Sequence, residues 1–257
     1  MIWGDWNDKA FLEWVNKISR GYESTRFSLL QASRKCATIV SRNSDYYRVL
    51  CYGCSRRLIL ILEAFDNIFE VVPLNSILRT KALKVKDRNR LELMYHALLV
   101  NISGTMDNCM LLLSMFYKFG FKPVEIQFFQ KNTSRFYSKL KSRNKDLYDL
   151  LSSLKYKHRD DLQQLRNTTC HRFVPYYPEY VKDMKGYNSF IEKWNEGIRD
   201  RKITISLDDN PFELNGGWIA YEDFESEGFY YTSLHDSVIR YCDLMLEIVN
   251  STTHLLE

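Results

Sequence analysis

The sequence predicts a mainly α-helical protein: a helical bundle with an N-terminal helical extension and a small insertion that contains a possible β-hairpin. Two observations predict this fold class. Long segments place apolar residues at steps of three and four, which is the spacing of one face of an α-helix. Glycines and prolines follow several of these segments, and residues 173–231 depart from the helical spacing over most of their length.

Each predicted helix is recognised by its apolar stripe and by the signals at its end. The clearest helix runs from Asp87 to Tyr117, and Gly120 and Pro123 follow it as stop signals. Leucines mark a second stripe between Asp146 and His171. The predicted helices cover residues 7–40, 45–70, 87–117, 124–140, 146–171, 187–199 and 233–256.

The region 173–231 is the predicted insertion, which is acidic and partly β. Two short β-like runs lie at 202–207 and 217–221, with a turn sequence at 208–211 between them. We therefore expect residues 1–86 to form the N-terminal helical extension. Residues 87–257 are expected to form the bundle that carries the insertion.

Composition indicates an ordinary globular chain outside the membrane. The sequence has 257 residues, of which 45% are hydrophobic and 26% charged, so it can bury a substantial core. The strongest apolar run, Leu58 to Leu62, stops at Glu63 and is too short to span a bilayer. The N-terminus lacks the basic-then-apolar pattern of a signal peptide. We expect a soluble cytoplasmic protein.

The cysteines give no metal-binding pattern. Six cysteines are spread along the chain, and Cys51-Tyr52-Gly53-Cys54 is a lone CxxC pair. Zinc needs further ligands, and no second CxxC and no HxxxH supplies them. Reduced, buried thiols are the expected state, with neither a metal nor another cofactor.

Charge is unevenly distributed along the chain. Residues 122–172 carry 12 Lys and Arg against 5 Asp and Glu, whereas residues 173–257 carry 7 against 16. The basic segment suits a polyanion such as RNA. A solvated basic face that is answered by the acidic tail explains the same pattern. The candidate RNA-binding residues are Lys131, Arg135, Lys139, Lys141, Arg143 and Lys145, interleaved with aromatic residues.

The stretch LQQLRNTTCHRFVPYYP, residues 162–178, carries the candidate catalytic residues Arg166, Asn167 and His171. Asn167 and His171 are four residues apart and share a helix face. A histidine can move the proton of a ribose 2′-hydroxyl, and an arginine can stabilise charge on a phosphate. A helix end also favours cationic residues through its dipole, which is the structural alternative.

The surroundings of this motif resemble those in the HEPN superfamily (higher eukaryotes and prokaryotes nucleotide-binding). Arg166-Asn167-x3-His171 closes a Leu-striped helix, a long helix with Met106-Asp107-Asn108 precedes it, and an amphipathic helix closes the chain. The resemblance covers about residues 87–257. It implies a HEPN-like bundle in which Arg166 stabilises the phosphate, His171 is the general acid and base, and Asn167 assists. Asp107 and Asn108 are then candidates for polar residues that support the motif.

The resemblance also implies an activity and partners. Catalytic HEPN proteins cleave RNA without a metal, often as dimers, and serve as toxins or as effectors of antiviral defence and stress responses. The expected partners are therefore RNA, a second copy of the chain, and a protein partner or antitoxin. The other hypothesis is a HEPN-like subunit or sensor without catalysis that binds nucleotide, RNA or a protein.

Overall fold

The computed structural model describes residues 8–42, 46–74, 83–128, 134–156, 218–223 and 228–257, and these residues are mainly α-helical, as predicted. The chain begins with α1 (Asp8–Arg42), and a π-helix (Arg48–Ser55) then leads directly into α2 (Arg56–Val71). The long α3 (Val85–Phe116) follows. After it come a 3-10 turn (Pro123–Glu125), α4 (Ser134–Arg143), the described part of α5 (145–156) and, at the C-terminus, α6 (Leu234–Leu256).

Four long helices build the core. Contacts between α1 and α6 join Trp14 to His235 and Thr25 to Asp243, so these two helices run in the same direction. Contacts between α1 and α2 show instead that α2 runs antiparallel to α1, because Tyr22 bonds to Asp66 near one end of α2 and Ser33 to Ser55 at the other. α3 packs against both α2 and α6.

A continuous hydrophobic cluster lies between these helices. Each helix turns one stripe inward, and that of α2 consists of Leu58, Ile61, Ala64, Phe65 and Ile68, all at most 2% exposed. The cluster includes residues of α1, α2, α3 and α6. The predicted division at residues 86 and 87 stays a prediction, and the described core is shared by helices on both sides of it.

α3 is the one helix in the described ranges that is long and apolar enough to cross a membrane by length and composition. Of its most apolar window, 61% is buried inside the protein. Its buried residues include Leu98, Leu99 and Ile102, which belong to the core shared with its neighbours.

The helix predicted over 124–140 is wrong at its beginning. Pro123 starts only a single 3-10 turn, and residues 126–128 are not helical. The backbone N–H of Phe128 donates to Oδ1 of Asp107 at 2.8 Å, so a side chain of α3 holds this segment out of a helix. α4 begins at Ser134 and extends to Arg143.

Two antiparallel strands precede α6. β1 (Trp218–Asp223) pairs with β2 (Gly228–Ser233), with Tyr221 opposite Tyr230. The β-like run predicted at 217–221 overlaps β1, but its partner is a segment that was not predicted to be a strand. The run at 202–207, which was the expected partner, lies outside the described residues, as does the helix predicted over 187–199.

Candidate nucleic-acid interface

The predicted catalytic motif lies outside the residues that the structure describes. Arg166, Asn167 and His171 all follow the described part of α5, which ends at residue 156. Lys131 also lies outside the described ranges. The roles predicted for these four residues therefore stay predictions, and the described part of the candidate interface consists of the helices that precede the motif.

α4 turns its basic residues outward and its apolar residues inward. Phe136 and Leu140 are buried, one turn apart, and fix the face of α4 that packs on the protein. The five described members of the predicted RNA-binding set are all exposed, namely Arg135, Lys139, Lys141, Arg143 and Lys145. We call these five residues the α4 basic surface. Lys141 and Arg143 also lie in the last turn of α4, where the helix dipole favours positive charge.

Most of the positive charge on this surface is not neutralised by a carboxylate. Lys145 forms an ion pair with Asp149 at 2.9 Å. Within the described part of the chain, none of Arg135, Lys139, Lys141 and Arg143 has an Asp or Glu oxygen within ion-pair distance. The sequence explains this, because residues 126–145 contain no acidic residue. The surface therefore keeps a net positive charge that an anionic partner could neutralise.

Aromatic rings hold two of these lysines in place. The Lys139 ammonium lies 4.9 Å from the ring centroid of Phe121 and donates to the carbonyl of Phe119 at 3.2 Å. The Lys141 ammonium lies 5.2 Å from the ring centroid of Tyr148. A ring face attracts an ammonium without cancelling its formal charge. These contacts order the two lysines and leave their charge available to a ligand.

Asn144 fixes the corner between α4 and α5. Its Oδ1 accepts the backbone N–H of Leu147 at 3.0 Å, which caps the first turn of α5. Its Nδ2 donates to the hydroxyl of Tyr117 at 3.1 Å, next to the end of α3. This role was not predicted from the sequence. An Asn directly before Lys145-Asp146 at a predicted helix start was the available signal.

Asp107 and Asn108 have structural partners in the described residues. Asp107 accepts the N–H of Phe128 and so fixes the segment that follows α3. The Asn108 Nδ2 donates to the carbonyl of Gly53 at 2.9 Å and connects α3 to the π-helix. Both side chains hold backbone segments that are distant in sequence. Whether they also support Arg166 and His171 stays a prediction, because the motif lies outside the described ranges.

The CxxC pair lies in the π-helix. Cys54 is buried and its thiol hydrogen-bonds to that of Cys109 on α3, whereas Cys51 is partly exposed. The bond to Cys109 and burial raise the pKa of Cys54 well above its ordinary value, and burial raises the pKa of Cys36 to about 12. Among the described residues, no three His, Cys, Asp or Glu side chains are grouped so that they could hold a metal ion.

His235 is a buried histidine whose role was not predicted from the sequence. Its Nε2–H donates to the carbonyl of Val72 at 2.6 Å, and its ring packs edge-on against Phe69 with centroids 4.9 Å apart. Burial lowers the pKa of His235 to about 4, although the bond to Val72 acts in the opposite direction. The imidazole is therefore neutral at physiological pH and joins the start of α6 to the end of α2.

Comparison with known proteins finds no match. No protein-family model matches the sequence, and neither a curated protein nor a solved structure is significantly similar to it.

Proposed function

We propose that this protein is a metal-independent endoribonuclease of the HEPN type, acting in the cytoplasm as a toxin or as an effector of defence or stress responses. In this proposal the α4 basic surface holds RNA and the motif from Arg166 to His171 cleaves it. The observation that carries the proposal is the positive charge of α4, which no carboxylate of the described residues neutralises, on the helix next to α5. The chain continues from α5 to the motif.

The spread of this charge favours a polyanion over a small ligand. Arg135, Lys139, Lys141 and Arg143 are distributed over a helix of about 15 Å length, since ten residues rise about 1.5 Å each. This length spans several phosphates of an RNA strand. Each cation that neutralises a phosphate releases condensed counterions, which gives affinity that depends strongly on salt.

The proposed reaction is an internal transesterification. The 2′-oxygen of a ribose attacks the adjacent phosphorus, the bond from phosphorus to the 5′-oxygen breaks, and a 2′,3′-cyclic phosphate forms. His171 accepts the proton of the 2′-hydroxyl, and the leaving 5′-oxygen takes up that proton from His171 or a proton from water, so that no net proton is consumed. Arg166 stabilises the charge that accumulates on the phosphate oxygens, and Asn167 orients the imidazole. No metal takes part in these steps.

The decisive experiment measures cleavage of total RNA in excess EDTA. We expect the wild-type protein to leave 2′,3′-cyclic phosphate ends, and His171→Ala and Arg166→Ala to lose cleavage. His254→Ala is the matched control, because His254 is exposed on α6 and far along the chain from the motif. Equal cleavage by wild type and His171→Ala would show that the motif is not the site.

A binding experiment tests the α4 basic surface separately. Fluorescence anisotropy with a labelled single-stranded RNA should show weaker binding by Lys141→Ala/Arg143→Ala than by wild type. The slope of log affinity against log salt should become shallower by about 0.7 for each phosphate that is no longer neutralised. Lys17→Ala removes an exposed charge on α1 and should leave both quantities unchanged.

Binding without cleavage would favour the other hypothesis, in which the chain is a subunit or sensor without catalysis. The wild-type protein and His171→Ala would then bind RNA equally, and neither would cut it. Absence of both binding and cleavage would contradict the proposal and direct the search to a nucleotide or a protein partner.

A further inference from the structure

The outer face of α2 exposes apolar side chains that no described element covers. Ile59 is 55% exposed and Leu60 is 47% exposed, although both lie in the middle of a core helix. Tyr52, in the π-helix that leads into α2, is 59% exposed. These residues lie opposite the buried stripe of α2. Burial of such side chains against a partner would remove apolar surface from water.

Opposite charges lie on either side of this apolar centre. Arg56 is exposed one turn before Ile59 and Leu60, and Glu63 is exposed one turn after them. Arg56 has no acidic partner within the described residues. Glu63 accepts a hydrogen bond from the amide of Asn67 at 3.0 Å but has no cationic partner there. Both charges are therefore available to a partner molecule.

The arrangement is symmetric along the helix. Arg56 and Glu63, which both lie on α2, are equally far from the point between Ile59 and Leu60. If an identical helix packs antiparallel across this point, each Arg56 meets a Glu63, and each Ile59 meets a Leu60. Such self-complementarity is what a two-fold interface requires.

We propose that α2 packs antiparallel against α2 of a second copy of this chain, about a two-fold axis between Ile59 and Leu60. A standard stable interface buries about 800 Å² of surface on each partner, and a single helix face buries less than this. The dimer is therefore weak and depends on protein concentration. This inference rests on the α2 face and not on the proposed function, so RNA cleavage and dimerisation are tested independently.

Charge reversal tests the proposal sharply. Arg56→Glu leaves only acidic residues at the two charged positions, and Glu63→Arg leaves only basic ones, so each single variant should be monomeric. An equimolar mixture of the two single variants should form a heterodimer, since each acidic face then meets a basic face. The double variant Arg56→Glu/Glu63→Arg should form a homodimer again. Lys17→Glu, on α1, is the matched control for the change in net charge.

Sedimentation velocity over a wide range of protein concentration measures the masses. As the protein concentration rises, the measured mass of the wild type, of the double variant and of the mixture should increase toward twice the 30.6 kDa of one chain. The mass of each single variant should remain near 30.6 kDa. Circular dichroism checks that the exposed substitutions leave the helices intact. A wild type that stays monomeric, or single variants that dimerise as well as the wild type, would overturn the proposal. A monomeric wild type would leave this face to a different partner.

Discussion

The carboxamide of Asn108 packs directly on Gly53. Its Nδ2 donates to the Gly53 carbonyl at 2.9 Å, and a Cβ added to Gly53 would lie 2.9 Å from the same Nδ2. The close approach therefore needs glycine at this position, within the CxxC pair, because a side chain would meet the atom that makes the hydrogen bond. This contact connects the π-helix to α3 beside the thiols of Cys54 and Cys109.

Gly53→Ala should destabilise the protein by about 1–2 kcal/mol, measured as the free energy of unfolding in urea. The added methyl crowds and displaces the Asn108 carboxamide, and the crowding together with the lost hydrogen bond costs about 2–3 kcal/mol. Helix propensity alone predicts the opposite sign, since alanine stabilises a helix by about 1 kcal/mol relative to glycine. The sign of the change therefore separates the two effects.

The variants Asn108→Ala and Gly53→Ala/Asn108→Ala complete the test. The double variant should be less destabilised than the sum of the single variants, because removal of the carboxamide makes room for the new methyl. Gly104→Ala is the comparison: its Cβ would lie 2.6 Å from the guanidinium of Arg57, which hydrogen-bonds to Asn101 at 3.1 Å. Because the crowding falls on the end of a long side chain, this variant should be less destabilised than Gly53→Ala. Additive effects at Gly53 and Asn108 would contradict the direct packing of the two residues.

Helices could be predicted from local sequence wherever an apolar stripe and a stop signal coincide. The predicted helix from Asp87 to Tyr117 matches α3 within two residues, and Gly120 beyond it has a φ of 75°, which suits glycine. The error at 126–128 has a tertiary cause. Asp107, which is distant in sequence, binds the Phe128 backbone, and no local pattern contains that information.

The same limit applies to the candidate site. The basic residues of α4 could be predicted as exposed, because Phe136 and Leu140 mark the opposite, buried face. The polar pair Asp107 and Asn108 could be recognised in the sequence, within the helix predicted from Asp87 to Tyr117. The hydrogen-bond partners of this pair, the Phe128 N–H and the Gly53 carbonyl, could not be predicted, because they come from other segments of the chain.

Asn144→Ala should lower the free energy of unfolding by about 1–2 kcal/mol. The substitution removes the side-chain cap of α5 and also the bond to the Tyr117 hydroxyl. Asn144→Asp keeps an oxygen that can cap the helix but loses the amide donor, so its destabilisation should be smaller. Thermal and urea unfolding measure both variants.

Ser138→Ala is the control for Asn144, because Ser138 is exposed on α4 and should change stability little. If Asn144→Ala is as stable as Ser138→Ala, the corner between α4 and α5 does not depend on this residue.

Cys51 should react first with a thiol reagent among the five cysteines of the described ranges. It is partly exposed, whereas Cys36, Cys54, Cys109 and Cys242 are buried. Burial also raises the pKa of Cys242 well above its ordinary value, so its thiolate is scarce. Mass spectrometry of peptides after brief treatment with iodoacetamide measures the order. Preferential labelling of Cys54 or Cys109 in the folded protein would contradict the burial of the thiol pair.

His235 should make the stability of the protein depend on pH. Its pKa is lowered from 6.5 to about 4 in the folded state, so the unfolded chain binds the proton more readily between these values. The stabilisation is fully present above pH 6.5 and is lost as the pH falls toward 4. The loss reaches about 3 kcal/mol, at about 1.36 kcal/mol for each pKa unit.

His235→Gln isolates this contribution, because a glutamine amide can donate to the Val72 carbonyl without a titratable group. Urea unfolding of both proteins from pH 7 to pH 4 should show that the wild type loses more stability than the variant. Other groups titrate in both proteins and cancel in the difference. His254→Gln, at an exposed position near the end of the same helix, is the control for the removal of a histidine. A difference between wild type and His235→Gln that stays constant with pH would mean that His235 takes up its proton as easily in the folded protein as in the unfolded chain.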